Sequence, residues 1–134
     1  MPKKKDDTKP LLYTAKVAAG FPLQGDDSVE RALDLNTLLI GNPTATFFVR
    51  AEGDSMEGSG INSGDILVVD RSLQVRDGAI VVAALFGELI VKRVKKKGPE
   101  TLLVSDNKEY EPILVSGNDE CHIWGTVTAS ITQF

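Results

Sequence analysis

Short apolar runs separated by turn residues dominate the chain from Thr44 onward. Most are four to seven residues long, and Gly, Asn, Asp and Ser cluster between them, which is typical of β-strands joined by turns. The expected strands are 47–51, 65–70, 79–85, 88–94, 101–104, 113–115 and 121–131. This spacing predicts a single compact, mostly-β domain built on a curved or partly closed sheet.

The first 25 or so residues differ from this pattern and indicate an arm. Lysines and aspartates come first, a mildly apolar run over 11–19 follows, and Gly20-Phe21-Pro22 interrupts it. Part of the arm can pair as an edge strand. Val29 and Leu33, four residues apart, suggest one apolar face of a helical turn. Asp34 is expected to cap a short helix over 35–40, which Gly41 ends.

The charge distribution excludes several classes of function. Net charge is −4, yet the first 19 residues hold five lysines and two aspartates, a net of +3 that leaves −7 for the rest. An acidic body argues against direct sequence-specific DNA binding, so Lys95–Lys97 are expected to be a solvated turn. The apolar runs are shorter than the ~20 residues that cross a bilayer, and the basic start has no secretory apolar region behind it. A single cysteine, Cys121, fits a reducing cytoplasm.

Lys92 is the first candidate for chemistry. In a strand, Ile90, Lys92 and Val94 share one face, while Arg93 and Lys95 take the other and stay hydrated. If the Ile90 and Val94 face packs on the core, burial lowers the pKa of the amine and makes it a candidate general base. The alternative is a lysine whose amine reaches solvent along an apolar surface.

Ser55 is the second candidate, in the Gly-rich segment 52–60. Glycines allow backbone conformations that expose the intervening side chain, and the N–H groups of Asp54 and Ser55 could then face a tetrahedral oxyanion. A serine becomes nucleophilic when a base such as a neutral lysine removes its proton. A plain connecting loop is the competing interpretation, and the pattern does not establish that Ser55 and Lys92 meet.

Other polar and aromatic residues have structural interpretations. His122 is expected to be a structural or surface histidine, and Cys121 a small strand residue. Asp65 and Asp70 bracket a strand and are expected to cap turns, with no metal cluster and no cofactor. Met56 is expected to pack beneath the loop. Trp124 and the pair Phe47-Phe48 are expected in the core.

Several ordered motifs carry a resemblance to a known family. Gly53-Asp54-Ser55-Met56, the segment 64–70 and Val91-Lys92-Arg93 resemble the serine–lysine self-cleaving proteins of the LexA/UmuD family. The segments 34–40 and 43–49 resemble the UmuD branch in particular, which has no DNA-binding domain in front. Ala19-Gly20-Phe21-Pro22 resembles the self-cleavage site of that branch, with alanine, as in LexA-type repressors, before the scissile glycine. The similarity covers residues 19 to 134.

The resemblance implies a function. Ser55 becomes the nucleophile, Lys92 the general base and Ala19-Gly20 the scissile pair. Residues 1–25 are then an arm that self-cleavage removes or repositions, and 26–134 the peptidase domain. A recombinase filament on single-stranded DNA stimulates cleavage in that branch. The shortened homodimer then serves as accessory subunit of a Y-family translesion DNA polymerase in the bacterial cytoplasm, as part of the SOS mutagenesis response.

Three alternatives stay open at this point. The first is a non-catalytic dimeric binding module that regulates a polymerase or recombinase. The second is a signal-peptidase-like enzyme, against which the lack of a membrane anchor argues. The third is a truncated repressor core, but 19 residues before the cleavage site are too few for a helix-turn-helix.

Overall fold

A computed structural model describes residues 9–13, 29–107 and 109–134. The chain divides into two compact units, Met1–Leu38 and Leu39–Phe134. Nine strands and one helix occur among the described residues: β1 Leu11–Tyr13, β2 Val29–Ala32, α1 Leu35–Leu39, β3 Thr46–Arg50, β4 Ile66–Asp70, β5 Ile80–Leu85, β6 Glu88–Lys97, β7 Glu100–Val104, β8 Ile113–Leu114 and β9 Cys121–Ile131. A 3-10 turn, Glu57–Ser59, lies between β3 and β4.

In the first unit, β1 and β2 form a two-stranded antiparallel sheet with Leu11 opposite Ala32. The Leu33 N–H extends it by donating to the Pro10 carbonyl at 2.7 Å. The edge strand expected in the arm is therefore confirmed, whereas the helical turn expected for Val29 and Leu33 is wrong. Pairing with a strand distant in sequence decides the conformation of Val29–Ala32, and four-residue spacing cannot reveal such a partner.

Helix α1 begins after Asp34, as expected. The Asp34 carboxylate accepts a hydrogen bond from the Asn36 N–H at 3.0 Å and so satisfies a backbone donor that the first turn leaves free. The helix ends at Leu39, one residue earlier than the sequence indicates. No helix within the described ranges is long and apolar enough to span a membrane.

The second unit is built on a seven-stranded antiparallel sheet in the order β3-β4-β9-β5-β6-β7-β8. Strand β4 is paired on both sides, and Leu67, Val68 and Val69 are fully buried, as its continuous apolar run predicts. Register shifts interrupt the pairing of β9 with β4 and with β5. The mostly-β class is confirmed.

Apolar clusters cover both faces of β5. Val82 belongs to a cluster with Met56, whereas Val81 and Ala83 belong to a second cluster with Val94. Because successive side chains of a strand point to opposite faces, the two clusters lie on opposite sides of β5. The first cluster also contains Ile61, so it packs beneath the Gly-rich segment.

Strands β5 and β6 form the hairpin expected around Phe86-Gly87. Both turn residues have positive φ, 49° and 82°, the combination required by the two-residue turn that matches strand twist. Strand β6 then runs to Lys97, so the turn expected over Lys95–Lys97 is wrong. Pairing with β7 keeps these lysines extended and exposed, and the chain turns at Gly98-Pro99 instead.

Two of the three aromatic residues expected in the core are exposed. Phe47 packs against the first apolar cluster, but Phe48 is 55% exposed and Trp124 42% exposed. Phe48 alternates with Phe47 along β3, the last strand at one edge of the sheet, so one of the pair points away from the core. Trp124 lies at the surface with the Arg71 guanidinium 5.7 Å from its ring centroid.

Candidate active site

Ser55 lies on a loop that is fixed from below by its neighbour. Met56, 2% exposed, packs into the first apolar cluster, and its carbonyl accepts hydrogen bonds from the N–H groups of Ser59 and Ile61. Gly53 and Gly60 have φ of 91° and 84°, which side chains larger than hydrogen disfavour. The packing role expected for Met56 is confirmed.

A second segment, Ser105–Asn107, holds the Ser55 loop from the side. The N–H groups of Asp106 and Asn107 both donate to the Ser55 carbonyl, at 3.1 and 3.2 Å. This approach requires a glycine at position 58, since a Cβ there would lie 2.9 Å from the Asp106 carbonyl oxygen. The position of Ser55 therefore depends on contacts with residues 51 and 52 positions further along the chain.

Lys92 is buried on β6, the outcome expected if the Ile90 and Val94 face packs on the core. Its side chain is 7% exposed, and Val94 on the same face is buried in the second apolar cluster. Burial lowers the pKa of the Lys92 amine below its ordinary value, and the nearby Asp54 carboxylate opposes this effect. The structure thus favours a buried lysine over one that extends along an apolar surface to solvent.

Ser55 and Lys92 line the same cleft, of about 410 Å³. The Ser55 hydroxyl donates to the carbonyl of Val91, the residue before Lys92, at 3.5 Å. The Lys92 amine donates to the hydroxyl of Ser105 at 2.7 Å. Within the described residues no hydrogen bond joins Ser55 to Lys92. Catalytic hydrogen bonds of this kind are often formed only with substrate bound.

Asp54 and Tyr110 complete the polar side of the cleft. The Tyr110 hydroxyl donates to the Asp54 carboxylate at 2.7 Å, and the Lys92 amine lies 4.5 Å from the Tyr110 ring centroid. The bond to Asp54, together with its negative charge, raises the pKa of Tyr110. The Asp54 carboxylate favours the charged amine, but desolvation is the larger effect and lowers the pKa of Lys92. The ring face of Tyr110 is a further neighbour that favours a cation.

Arg93 was expected to stay hydrated because it lies on the face opposite Lys92, but its side chain is bound to protein groups instead. Its guanidinium forms an ion pair with Asp106 at 3.2 Å and also donates to the Ser59 hydroxyl and to the Gly78 carbonyl. One side chain thus connects β6, the 3-10 turn after Ser55 and the segment Ser105–Asn107. Strand alternation identifies the face of a side chain but not the partners that meet it there.

The structure describes the residues of the expected oxyanion donors but not those of the expected scissile bond. Among the described residues, no acceptor receives a hydrogen bond from the N–H of Asp54 or of Ser55. Both groups belong to residues that line the cleft. Ala19 and Gly20 lie outside the described residues, so the cleavage site stays a prediction.

The remaining polar candidates have structural roles. His122 is exposed on β9, and Cys121 beside it is buried, which raises the pKa of its thiol. The Asp65 carboxylate accepts from the Asn62 N–H and the Thr132 hydroxyl, and that of Asp70 from Ser72, so both cap turns as expected. No group of three or more potential metal ligands occurs in the described part of the chain.

Ser105 and Tyr110 are the site residues that the sequence did not indicate. Both lie in a polar segment between β7 and β8 that reads as an ordinary turn, and neither belongs to a motif of the resemblance. Their contacts with Lys92 arise because β6 and β7 are paired, with Arg93 opposite Val104. Ser105 directly follows that pair, which brings its hydroxyl to the Lys92 amine.

Comparison with known proteins identifies similar chains. The family model described as Peptidase S24-like matches residues 10–128. Protein SamA of Salmonella typhimurium is 46% identical over 120 residues, which are 90% of this chain and 83% of that protein. Protein MucA of Escherichia coli is 38% identical over 123 residues, 91% of this chain and 84% of its own. The LexA repressor of Thiobacillus denitrificans is 38% identical over 105 residues, 78% of this chain and 52% of that repressor.

Proposed function

Because the chain belongs to the Peptidase S24-like family, in the UmuD-like branch of the LexA/UmuD proteins, we propose that it is a self-cleaving serine endopeptidase. Ser55 is the nucleophile, Lys92 the general base and Ala19–Gly20 the bond that is cut. The observation that carries this proposal is a buried lysine with a lowered pKa in the same cleft as a serine on a glycine-bounded loop.

The proposed reaction follows from these groups. Neutral Lys92 accepts the proton of the Ser55 hydroxyl as the oxygen attacks the Ala19 carbonyl carbon. The N–H groups of Asp54 and Ser55 donate to the oxyanion. The Lys92 ammonium then gives its proton to the departing Gly20 amine, which leaves residues 1–19 as an ester on Ser55. Water hydrolyses that ester, with Lys92 again as the base.

The edge of β6 supports docking of an extended segment in the cleft. The Val94 N–H donates to Ala79 beside β5, whereas Arg93 pairs with Val104 of β7. By alternation, the backbone groups of Leu89 and Val91 face away from β5. Strand β7 covers only Arg93–Lys97, so the first half of that edge borders the cleft, where an added strand could hydrogen-bond. The small pair Ala19-Gly20 suits close approach of the scissile bond.

The biological role in the proposal comes from the family resemblance. Cleavage is stimulated by a recombinase filament on single-stranded DNA. The domain of residues 26–134 then acts as a homodimer with the catalytic subunit of a Y-family DNA polymerase, for translesion synthesis in the SOS response of a bacterial cytoplasm. The negative charge of residues 20–134 is consistent with a protein that reaches DNA through partners rather than directly.

One observation favours the alternative of a non-catalytic dimeric binding module. The Lys92 amine is bonded to Ser105 and the Ser55 hydroxyl to Val91, so neither group is engaged with the other. In that alternative the uncut chain regulates a polymerase or recombinase by binding alone. The two functions differ in one measurable event, the release of residues 1–19.

The test is incubation of the purified chain at about pH 9–10, where a larger share of a lysine with a lowered pKa is neutral than at pH 7. Mass spectrometry is expected to find residues 1–19 and 20–134, and Ser55→Ala or Lys92→Ala to abolish both products. Gly20→Val is expected to block cutting without unfolding, and Ser130→Ala, on an exposed part of β9, to leave it unchanged. Persistence of the intact chain, with and without a recombinase filament, would establish the binding module instead.

A further inference from the structure

Ser105 is the polar partner of the Lys92 amine and lies outside every motif that identified the site. Its half-buried hydroxyl accepts a hydrogen bond from the amine at 2.7 Å. The two residues that follow it, Asp106 and Asn107, donate their N–H groups to the Ser55 carbonyl. One short segment therefore contacts both the proposed nucleophile and the proposed base.

We propose that Ser105 is a positioning residue that orients the Lys92 amine toward Ser55. This inference rests on the proposed function and adds a third side chain to it. Ser105 forms no bond with the substrate and takes no proton from it. Its hydroxyl oxygen fixes one N–H of the amine and thereby limits the directions in which the remaining nitrogen valences point.

The chemistry of a neutral amine explains why such a partner is needed. A neutral lysine has two N–H donors and one lone pair, and only the lone pair can accept the Ser55 proton. The amine ends a flexible stem of four methylene groups, and its own rotation is free unless a partner fixes it. A hydrogen-bond acceptor for one N–H restricts rotation of the amine, so the lone pair points toward the Ser55 hydroxyl in a larger share of its orientations.

The other groups facing the amine cannot provide this direction. Tyr110 presents its ring at 4.5 Å, a contact with a diffuse face rather than with a lone pair. The Asp54 carboxylate interacts with the amine through its charge and receives the Tyr110 hydroxyl at 2.7 Å. Val81, opposite Lys92 on β5, is apolar and fully buried. The Arg93 guanidinium is paired with Asp106.

The first measurement is cleavage rate against pH for wild type, Ser105→Ala and Ser105→Thr. Above the pH at which Lys92 is neutral, the alanine variant is expected to cut about 10-fold more slowly, the effect of losing one hydrogen bond of ordinary strength. The threonine variant keeps the hydroxyl and is expected to restore the rate. Ser130→Ala is the control for loss of a serine hydroxyl on the exposed surface of β9.

The second measurement needs no cleavage. In a Ser55→Ala background, NMR of lysines labelled with 13C at Cε follows the Lys92 titration directly. An acceptor stabilises the ammonium more than the neutral amine, so adding Ser105→Ala is expected to move the Lys92 midpoint to lower pH. The other lysines serve as internal controls. Ser105→Cys, a weaker acceptor of nearly the same size, repeats the test if the alanine variant is poorly folded.

The two measurements separate this inference from the function on which it rests. If wild type cuts and the Ser105→Ala variant cuts at the same rate, the role of Ser105 is overturned and the proposed peptidase function still holds. An unmoved Lys92 midpoint in the Ser55→Ala background would also overturn it, whether or not wild type cuts. The role of Ser105 is supported if Ser105→Ala cuts more slowly, Ser105→Thr restores the wild-type rate and the Lys92 midpoint shifts to lower pH. A purely structural role would lower both plateau rate and thermal stability without shifting the titration.

Discussion

The buried Lys92 amine should leave a measurable trace in the pH dependence of stability. The perturbation is Lys92→Met, compared in a Ser55→Ala background so that alkaline pH causes no cutting. Methionine keeps an unbranched apolar stem of similar length and removes the charge. It also leaves the Ser105 hydroxyl without its N–H donor, a cost of about 1–3 kcal/mol that does not change with pH.

The sign of the effect follows from proton linkage. Lys92 has a pKa below its ordinary 10.5 in the folded chain, so between the folded and unfolded pKa values the unfolded chain binds more protons. The free energy of unfolding of the Lys92 chain therefore rises with pH across that window. The gain is about 1.4 kcal/mol for each unit by which the pKa is lowered. Below the folded pKa both states are protonated and the full cost of burying the charge is present.

The assay is urea unfolding of the two chains at several values between about pH 7 and pH 10, with the difference in unfolding free energy plotted against pH. Tyr110 has a raised pKa, so its contribution to the free energy of unfolding is lost as pH rises above about 10. Both chains contain Tyr110, and its contribution therefore largely cancels in the difference. The Lys92 chain is expected to gain stability relative to the methionine chain as pH rises. Parallel curves would mean that the amine stays charged, and Lys92 could not then be the base.

Three further predictions concern the support of the site. Gly58→Ala places a Cβ 2.9 Å from the Asp106 carbonyl oxygen and should lower the free energy of unfolding by about 1–3 kcal/mol while slowing cleavage. The control is Gly41→Ala, where the new Cβ meets open space. Equal denaturation midpoints for the two variants would refute the crowding argument. Arg93→Lys keeps the charge but loses the planar guanidinium that reaches Asp106, Ser59 and Gly78. It should lower the free energy of unfolding, measured by calorimetry, by about 1–2 kcal/mol. An unchanged free energy would show that these three contacts do not stabilise the fold. Leu103→Ala leaves a cavity at a fully buried position and should lower the free energy of unfolding in chemical denaturation by about 2–5 kcal/mol. Leu114→Ala, at a 40% exposed position, should lower it by less than about 0.5 kcal/mol. Similar losses for the two variants would contradict the assigned core.

Local signals predicted the strands well and left the burial of Lys92 as one of two alternatives. The apolar run of β4 indicated burial on both faces because its length and composition fit only a central strand. The alternation placed Ile90, Lys92 and Val94 on one face of β6 because that pattern is a property of one strand alone, but it did not decide which face packs on the core. The turn at Phe86-Gly87 was likewise local, set by two residues with positive φ.

Features that depend on distant partners were not predictable from the same signals. Val29–Ala32 is a strand because Leu11–Tyr13 pairs with it. The Arg93 side chain acquires its partners from Ser59, Gly78 and Asp106, which adjoin it only in the folded sheet. Ser105 is adjacent to Lys92 through the pairing of β6 with β7. Periodicity assigns a face to each residue, but only the order of strands determines what that face meets.

The position of β9 has a consequence for how the site comes into being. The Ser55 loop lies between β3 and β4, Lys92 lies on β6, and β9 is the strand that hydrogen-bonds to both β4 and β5. A nascent chain on the ribosome that has not yet reached Gly125 has no backbone ladder joining the two halves. The backbone ladder that connects the part of the sheet adjoining the Ser55 loop with the part that carries Lys92 is thus completed only by the last strand to be synthesised.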